Sequence, residues 1–202
     1  SYKPQSRYKM DNGRKVPLTE RSPELLFLYR KGISRLLDSN VDFDHIELGI
    51  DHEFSFGIRG ELQFELRGGT FLNNNSLYLM DYKHFDGNRT ILSALKPAGS
   101  FRLLDYYAFS TDDPYFSAHT HFQFRKFLLT QLPMLRFSGV KENIFVNYLK
   151  TTYSPHYYEI GYSLDQVFRL FRIEIATSFI DDSYKEFGLR IGIATKIFGM
   201  KL

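Results

Sequence analysis

The sequence predicts an all-β, antiparallel fold, and three observations carry that reading. Several segments alternate apolar and polar residues with the period of two that a strand imposes. Aromatic residues, which favour strands, are abundant: 20 Phe and 14 Tyr in 202 residues, with no Trp. Short turn signals separate most segments, so sequence neighbours are expected to pair antiparallel.

Composition bounds the rest. A hydrophobic content of 43% with 24% charged residues is that of a folded chain. A net charge of +3 is too small to argue for nucleic acid. The absence of Cys excludes a disulfide framework or a thiolate metal site. No apolar run approaches the ~18 residues of a membrane-spanning helix, which leaves a barrel open. The opening SYKPQSRYKM lacks the apolar core of a secretory signal. An exported protein would therefore be seen here as a mature chain or a fragment.

In order, residues 1–23 read as a connector or hairpin around Asn12-Gly13, with Pro4, Pro17 and Pro23 breaking regular structure. The β domain spans 24–202. Glu24 to Ile33 is its first segment, of ambiguous facing. From Val41 to Phe56, Ile46, Leu48, Ile50, Phe54 and Phe56 oppose His45, Glu47, Asp51, Glu53 and Ser55. Beyond the turn near Gly57 and Gly60, Leu62, Phe64 and Leu66 oppose Glu61, Gln63, Glu65 and Arg67. Tyr115 to Arg125 sets Phe116, Phe122 and Phe124 against Ser117, His119, His121 and Gln123. Four more strands are predicted over Asn143–Leu149, Tyr157–Ser163, Val167–Phe179 and Phe187–Ile197. Signals at Tyr153-Ser154-Pro155, Asp165-Gln166 and Asp181-Asp182-Ser183 divide them. In Lys126–Gly139, leucines at helical spacing and Pro133 suggest a short interfacial turn.

One stretch interrupts the series, a loop over 72–113. A connection of this length is unusual in a compact β domain and tends to be functional. It carries too many apolar residues, Leu79, Phe85, Phe101, Leu103, Leu104 and Phe109 among them, to float in solvent. It is expected to fold back onto the strands.

Alternation alone fits two architectures. A soluble sandwich or small barrel turns its apolar face inward, whereas a membrane barrel turns it to lipid and lines its lumen with polar groups. Three features favour the membrane barrel. The apolar faces are rich in Phe, Leu and Ile across several strands. The polar faces mix charges of both signs with His and Gln. Short connections alternate with longer ones. A complete eight-stranded barrel is the alternative, but side chains fill its interior and leave no room for the loop. His119 and His121 could share a metal, but no third ligand stands at a clear spacing. With Ser117 and Asp105 they allow a hydrolase reading in which nothing fixes a nucleophile–base contact. No catalytic residue, metal or cofactor is assigned.

The order of elements resembles the C-terminal half, about eight strands, of a roughly sixteen-stranded barrel of the BamA/TamA-type (bacterial surface antigen) superfamily. There, a long loop enters the lumen and a Val/Ile-Arg-Gly-Phe/Tyr motif sets an arginine against the inner wall. Phe101-Arg102-Leu103-Leu104 stands at the matching place, keeping the arginine. The superfamily's Phe-x-Asp motif is matched by Phe145-Val146-Asn147, where Asn147 replaces the acid. EIGYSLDQVFRLFRIEIATSF and FGLRIGIATKIF are similar to the last three strands. More closely, GTFLNNNSLYLMDYKHFDGN, FRLLDYYAFST, FLLTQLPMLRFSG and KENIFVNYL resemble a Bacteroidota-type family of unknown function in which the barrel follows a carboxypeptidase-regulatory-like domain.

The resemblance implies a loop anchor at Phe101, Arg102, Leu103 and Leu104, and wall partners at Phe145, Asn147, Glu174 and Glu65. It implies an outer-membrane location and non-enzymatic insertion or export of outer-membrane or surface proteins. The partners would be outer-membrane lipid, client β-barrel or surface proteins, and periplasmic or lipoprotein subunits. A secretion or solute pore, and a barrel-embedded hydrolase using His119 and His121, are the alternatives.

Overall fold

The computed structural model describes residues 2, 8–11, 14–17, 23–34, 40–57, 59–87, 89, 92–93, 99–133 and 138–193. Strands β1 (Tyr8–Asp11) and β2 (Arg14–Pro17) form a hairpin in which Asp11 faces Arg14. The other strands are β3 (Glu24–Gly32), β4 (Asp42–Ser55), β5 (Gly60–Ser76), β6 (Leu92–Ser93), β7 (Tyr115–Phe124), β8 (Lys141–Thr151), β9 (Tyr157–Val167), β10 (Phe171–Ile180) and β11 (Ser183–Ile193). Eight of these, all but β6, form one antiparallel sheet in the order β3-β4-β5-β7-β8-β9-β10-β11, and β6 lies parallel on the outer edge of β11. The sheet is open. Two single 3-10 turns, Leu79–Asp81 and Leu129–Gln131, are the only helical pieces among the described residues.

Local chemistry moves three boundaries from where the sequence predicts them. β5 runs on to Ser76, so the long connection begins at Leu77. Asn73 and Asn75 donate to Asp42 at 3.0 and 3.2 Å, and the Ser76 hydroxyl donates to the Asn40 carbonyl at 2.6 Å. These polar residues gain partners by extending the ladder along β4. The β9–β10 turn lies at Phe168–Leu170 rather than Asp165-Gln166. Asp165 is held in the strand by a two-pronged bond from Arg172, at 2.5 Å on each oxygen. β11 begins at Ser183, directly after Asp181 and Asp182 turn the chain with φ of 45° and 65°. Ala194 to Ile197 of the predicted last strand lie outside the described residues.

Cross-strand register arranges side chains in rows. One face carries the row His119, Asn147, Glu159, Ser178 and Glu186 across β7 to β11. The next row is Phe145, Gly161, Ala176 and Gly188, and the third is Asn143, Ser163, Glu174 and Arg190. Most of this polar face is buried, with Glu159, Asn143 and Ser178 fully inaccessible.

The opposite face reverses the usual polarity. Val146, Ile160, Ile175 and Leu189 are 40–54% exposed there. At one end it carries a row of Tyr148, Tyr158, Phe179 and Tyr184. At the other end, the rings of Phe122, Phe124 and Phe127 contact one another in succession, with Phe56 against Phe122. An apolar band framed by aromatics is exposed on this outward face, and most charged groups of β7 to β11 lie on the other.

The segment after β7 folds across the outward face because Glu142 binds it. The Glu142 carboxylate accepts backbone N–H bonds from Phe127, Leu128 and Leu129 at 2.5–3.1 Å. The Thr130 and Tyr162 hydroxyls donate to it as well, at 2.5 and 2.6 Å. Each amide that loses such a partner when buried costs about 1–3 kcal/mol. Glu142→Ala should therefore release this turn alone. Hydrogen exchange of the Phe127, Leu128 and Leu129 amides is expected to rise about tenfold or more, with β10 and β11 amides unchanged.

Candidate functional site

The buried face is completed by the long loop, whose tip is seated on it. Phe101, Arg102, Leu103 and Leu104 are each no more than 6% exposed. Phe101 and Leu104 join Phe109, Leu149 and Tyr157 in one apolar cluster, and Leu103 joins Phe145 and Ala176 in a second. Small residues make room for both. A Cβ at Gly161 would collide with the Phe145 ring and with the Ile175 carbonyl oxygen at 2.6 Å, and one at Gly188 would collide with Leu103. The row Phe145-Gly161-Ala176-Gly188 is thus a shallow trough that the loop tip fills.

Glu159 holds the backbone of the tip. Its two carboxylate oxygens accept the N–H groups of Arg102 and Leu103, each at 2.7 Å. Tyr157 donates its hydroxyl to the same carboxylate at 2.6 Å, and Asn147 donates its amide at 3.0 Å. Asn147 also donates to the Ser100 carbonyl at 3.3 Å. Its own Oδ1 lies 3.1 Å from His119 Nδ1, so the proton of that imidazole sits on Nδ1.

The Arg102 guanidinium lies 5.0 Å from the Phe145 ring centre and bonds Ser100 through its carbonyl and hydroxyl oxygens at 2.8 and 2.6 Å. Its Nε is 3.2 Å from Glu174 Oε2, an ion-pair contact. Glu174 also lies 3.8 Å from Arg172. Glu65, the fourth wall residue named from the sequence, pairs with Arg67 at 3.2 Å and stands against Gly99. Arg190, opposite Glu174 in register, is 3% exposed, and among the described residues none of its three guanidinium nitrogens makes a hydrogen bond.

Two further tethers hold the loop. Lys83 and the Tyr115 hydroxyl both bind Glu47, and that hydroxyl also meets His45 Nε2 at 3.0 Å. Near β11, Arg89 binds Asp105 and also Glu186, the latter at 2.6 Å, while Lys185 reaches Asp105 at 3.2 Å. The Arg89 hydrogen bond, aided by Lys185, holds the Asp105 carboxyl below its usual range. Asp105 is thus engaged by cations, and Ser117, His119 and His121 are buried on the wall.

Residues 1–164 match the C-terminal domain of a family of unknown function, DUF5686. The chain belongs to this family. No curated protein and no solved structure matches it. The part matched to the DUF5686 C-terminal domain includes the loop tip, Asn147 and Glu159, and stops before Glu174 and Arg190.

Within this DUF5686 domain the residue that the sequence did not single out is Glu159, whose carboxylate accepts two backbone amides of the tip. The alternation of β9 was visible in the sequence, and the register supplies the rest. Tyr157, Glu159, Gly161 and Ser163 alternate toward the side that faces Asn147 across one hairpin, so the acid missing at 147 is supplied by its cross-strand neighbour.

Glu159→Ala should strip two backbone amides of their acceptor and cost about 2–5 kcal/mol of loop docking. Limited proteolysis within 99–111 is the measurement, with cleavage appearing while the sheet stays intact. Arg102→Ala should cost about 3 kcal/mol, at the lower end for a buried pair, because Arg172 still neighbours Glu174. Arg102→Lys should recover only part of this, since a lysine lacks the planar fork. Gly188→Val should expose the loop to protease while leaving Arg102 in place chemically, by blocking the seat of Leu103.

Proposed function

We propose that the sheet is part of the wall of an outer-membrane β-barrel, that its polar face lines the lumen, and that the long loop plugs it. The observation that carries this reading is the reversed polarity. Val146, Ile160, Ile175 and Leu189 are exposed, whereas Glu159, Glu174, Arg102 and Arg190 are buried. A soluble sheet would bury the first set and solvate the second. A lipid-facing band between aromatic girdles is what a bilayer selects. Strands β7 to β11 have 10 or 11 residues, the length that crosses a bilayer when tilted. The buried Arg190 guanidinium, without a hydrogen bond among the described residues, fits the same reading, because lumenal water can satisfy a group whose burial in dry protein would be costly.

The biological role we infer is non-enzymatic. The protein works in the outer membrane as an assembly factor of the BamA/TamA type, aiding insertion or export of outer-membrane or surface proteins. Two features support it beyond the motif order. The loop occupies the inner face, as a plug would and an open pore would not. The outer edge of β11 is paired by β6 only at Ile191 and Gly192 among the described residues, leaving ladder groups that could template a client strand. Client β-barrel or surface proteins, and periplasmic or lipoprotein subunits, are the partners this role requires.

Two measurements test the reading at separate levels. Leu48, 60% exposed on the outward face, should cost about 2–4 kcal/mol as Leu48→Arg if it lies near the bilayer midplane. Folding into vesicles, followed by the heat-dependent gel shift of a barrel, reads this out. A protein that stays monomeric without detergent, with Leu48→Arg harmless, rejects the membrane assignment. For the role, cells carrying Arg102→Ala should lose folded outer-membrane proteins. A normal outer-membrane protein profile in cells lacking the gene rejects assembly.

A further inference from the structure

The antiparallel meander places the β4–β5 turn, the β7–β8 connection and the β9–β10 turn at one end of the sheet. That end is basic, carrying Arg59, Arg125, Lys126 and Arg169 in or beside these connections. The opposite end carries Asp42, Asp44, Asp112, Asp113, Asp181 and Asp182. On the outward side of the basic end a cavity of about 640 Å³ is lined by Arg59, Phe122, Phe124, Arg125 and Lys126. Among the described residues the three cationic side chains in it form no ion pair. Two acids stand near it: Glu142, opposite Phe124 in register and bound to the Phe127 amide, and Glu61, which lines the neighbouring cavity with Arg125 and Lys126.

From this juxtaposition we infer a binding site for the phosphate headgroup of an anionic phospholipid, with Phe122 and Phe124 against its upper acyl chains. The inference rests on the membrane reading above. Three cations converge on a cavity whose floor is aromatic and continuous with the apolar band. A free phosphate would gain nothing from that floor, whereas a lipid uses both halves of the site. The walls are built in advance: the Glu142 carboxylate fixes the backbone at Phe127, immediately after Lys126. Beside the cavity Leu128 and Leu132 are 62% and 51% exposed, and Phe168 on the neighbouring turn is 87% exposed. Apolar side chains presented next to cations at a strand end suit the headgroup boundary of a bilayer.

The test uses the intact protein in a non-ionic detergent, titrated with phosphatidylglycerol or phosphatidylcholine and read by native mass spectrometry. Phosphatidylglycerol should be retained about tenfold or more over phosphatidylcholine, since each basic residue near a phosphate contributes about fivefold. The triple replacement Arg59→Gln, Arg125→Gln, Lys126→Gln should abolish the preference while keeping the barrel's heat-dependent gel shift. Each single replacement should remove part of it, so the result does not depend on the triple variant folding. Arg125→Lys should retain it. Equal retention of the two lipids by the unaltered protein, or an unchanged preference in the single and triple variants, overturns the inference and leaves the membrane reading standing. Displacement of phosphatidylglycerol by an equal concentration of glycerol phosphate would reassign the site to free phosphate and overturn it too. A protein that is soluble without detergent overturns the membrane reading, and this inference with it.

Discussion

The arrangement depends on one interaction, the Glu159 carboxylate bound to the backbone of Arg102 and Leu103. A fully buried carboxylate is tolerated only where hydrogen-bond donors replace its lost water. Glu159 receives four: two loop amides, the Tyr157 hydroxyl and the Asn147 side chain. The dependence is mutual. The loop tip would be a strained apolar excursion without Glu159, and Glu159 would be an uncompensated charge without the tip. Because the contact is to backbone, it fixes the path of the chain at Arg102 and so aims the guanidinium across Phe145 toward Glu174. The neutral Asn147 then serves as a bridge, relaying the acid of β9 to His119 on β7.

From this clamp follows the division of labour between the two faces. The inner face is a charged network that needs either a loop or water over it. Among the described residues the outer face carries His52 and Thr120 in the row of Val146 but no charged network in its central rows, and aromatics bound it at both ends. Glu142 marks where the pattern ends. It is a carboxylate on the outward side, and the 126–133 turn folds over it and supplies four donor groups, with the Tyr162 hydroxyl of β9 as a fifth. Charges on both faces obey the same rule, and only the partner differs.

Much of the fold was legible in the sequence, because period-two alternation runs through β4, the first half of β5 and β7 to β11. What misled was turn chemistry. Asp165-Gln166 reads as a turn, yet Arg172 claims Asp165 for the ladder and the chain bends three residues later, at Phe168 and Arg169 with positive φ. Asn73 to Ser76 read as loop, yet Asp42 and the Asn40 carbonyl draw them into β5. The site was legible in part. Arg102 and Asn147 could be named from the motif resemblance, and Glu174 as an acid able to compensate the arginine. Glu159 could not be singled out without register, since only pairing with β8 sets it beside Asn147. Glu65 stands against Gly99 beside the tip and pairs with Arg67, two residues along the same strand.

The central claim is that the apolar face meets lipid while the polar face is sealed by the loop. Nitroxide labels at single cysteines placed at Val146, Ile160 and Ile175, in the intact protein reconstituted in vesicles, test it most directly. Their relaxation is compared in the presence of oxygen, which partitions into the bilayer, and of a water-soluble nickel chelate. Strong relaxation by oxygen with little by nickel at all three positions is the expected result. Nickel access at these positions, or burial from both agents, would mean that water or protein covers this face and would contradict the claim.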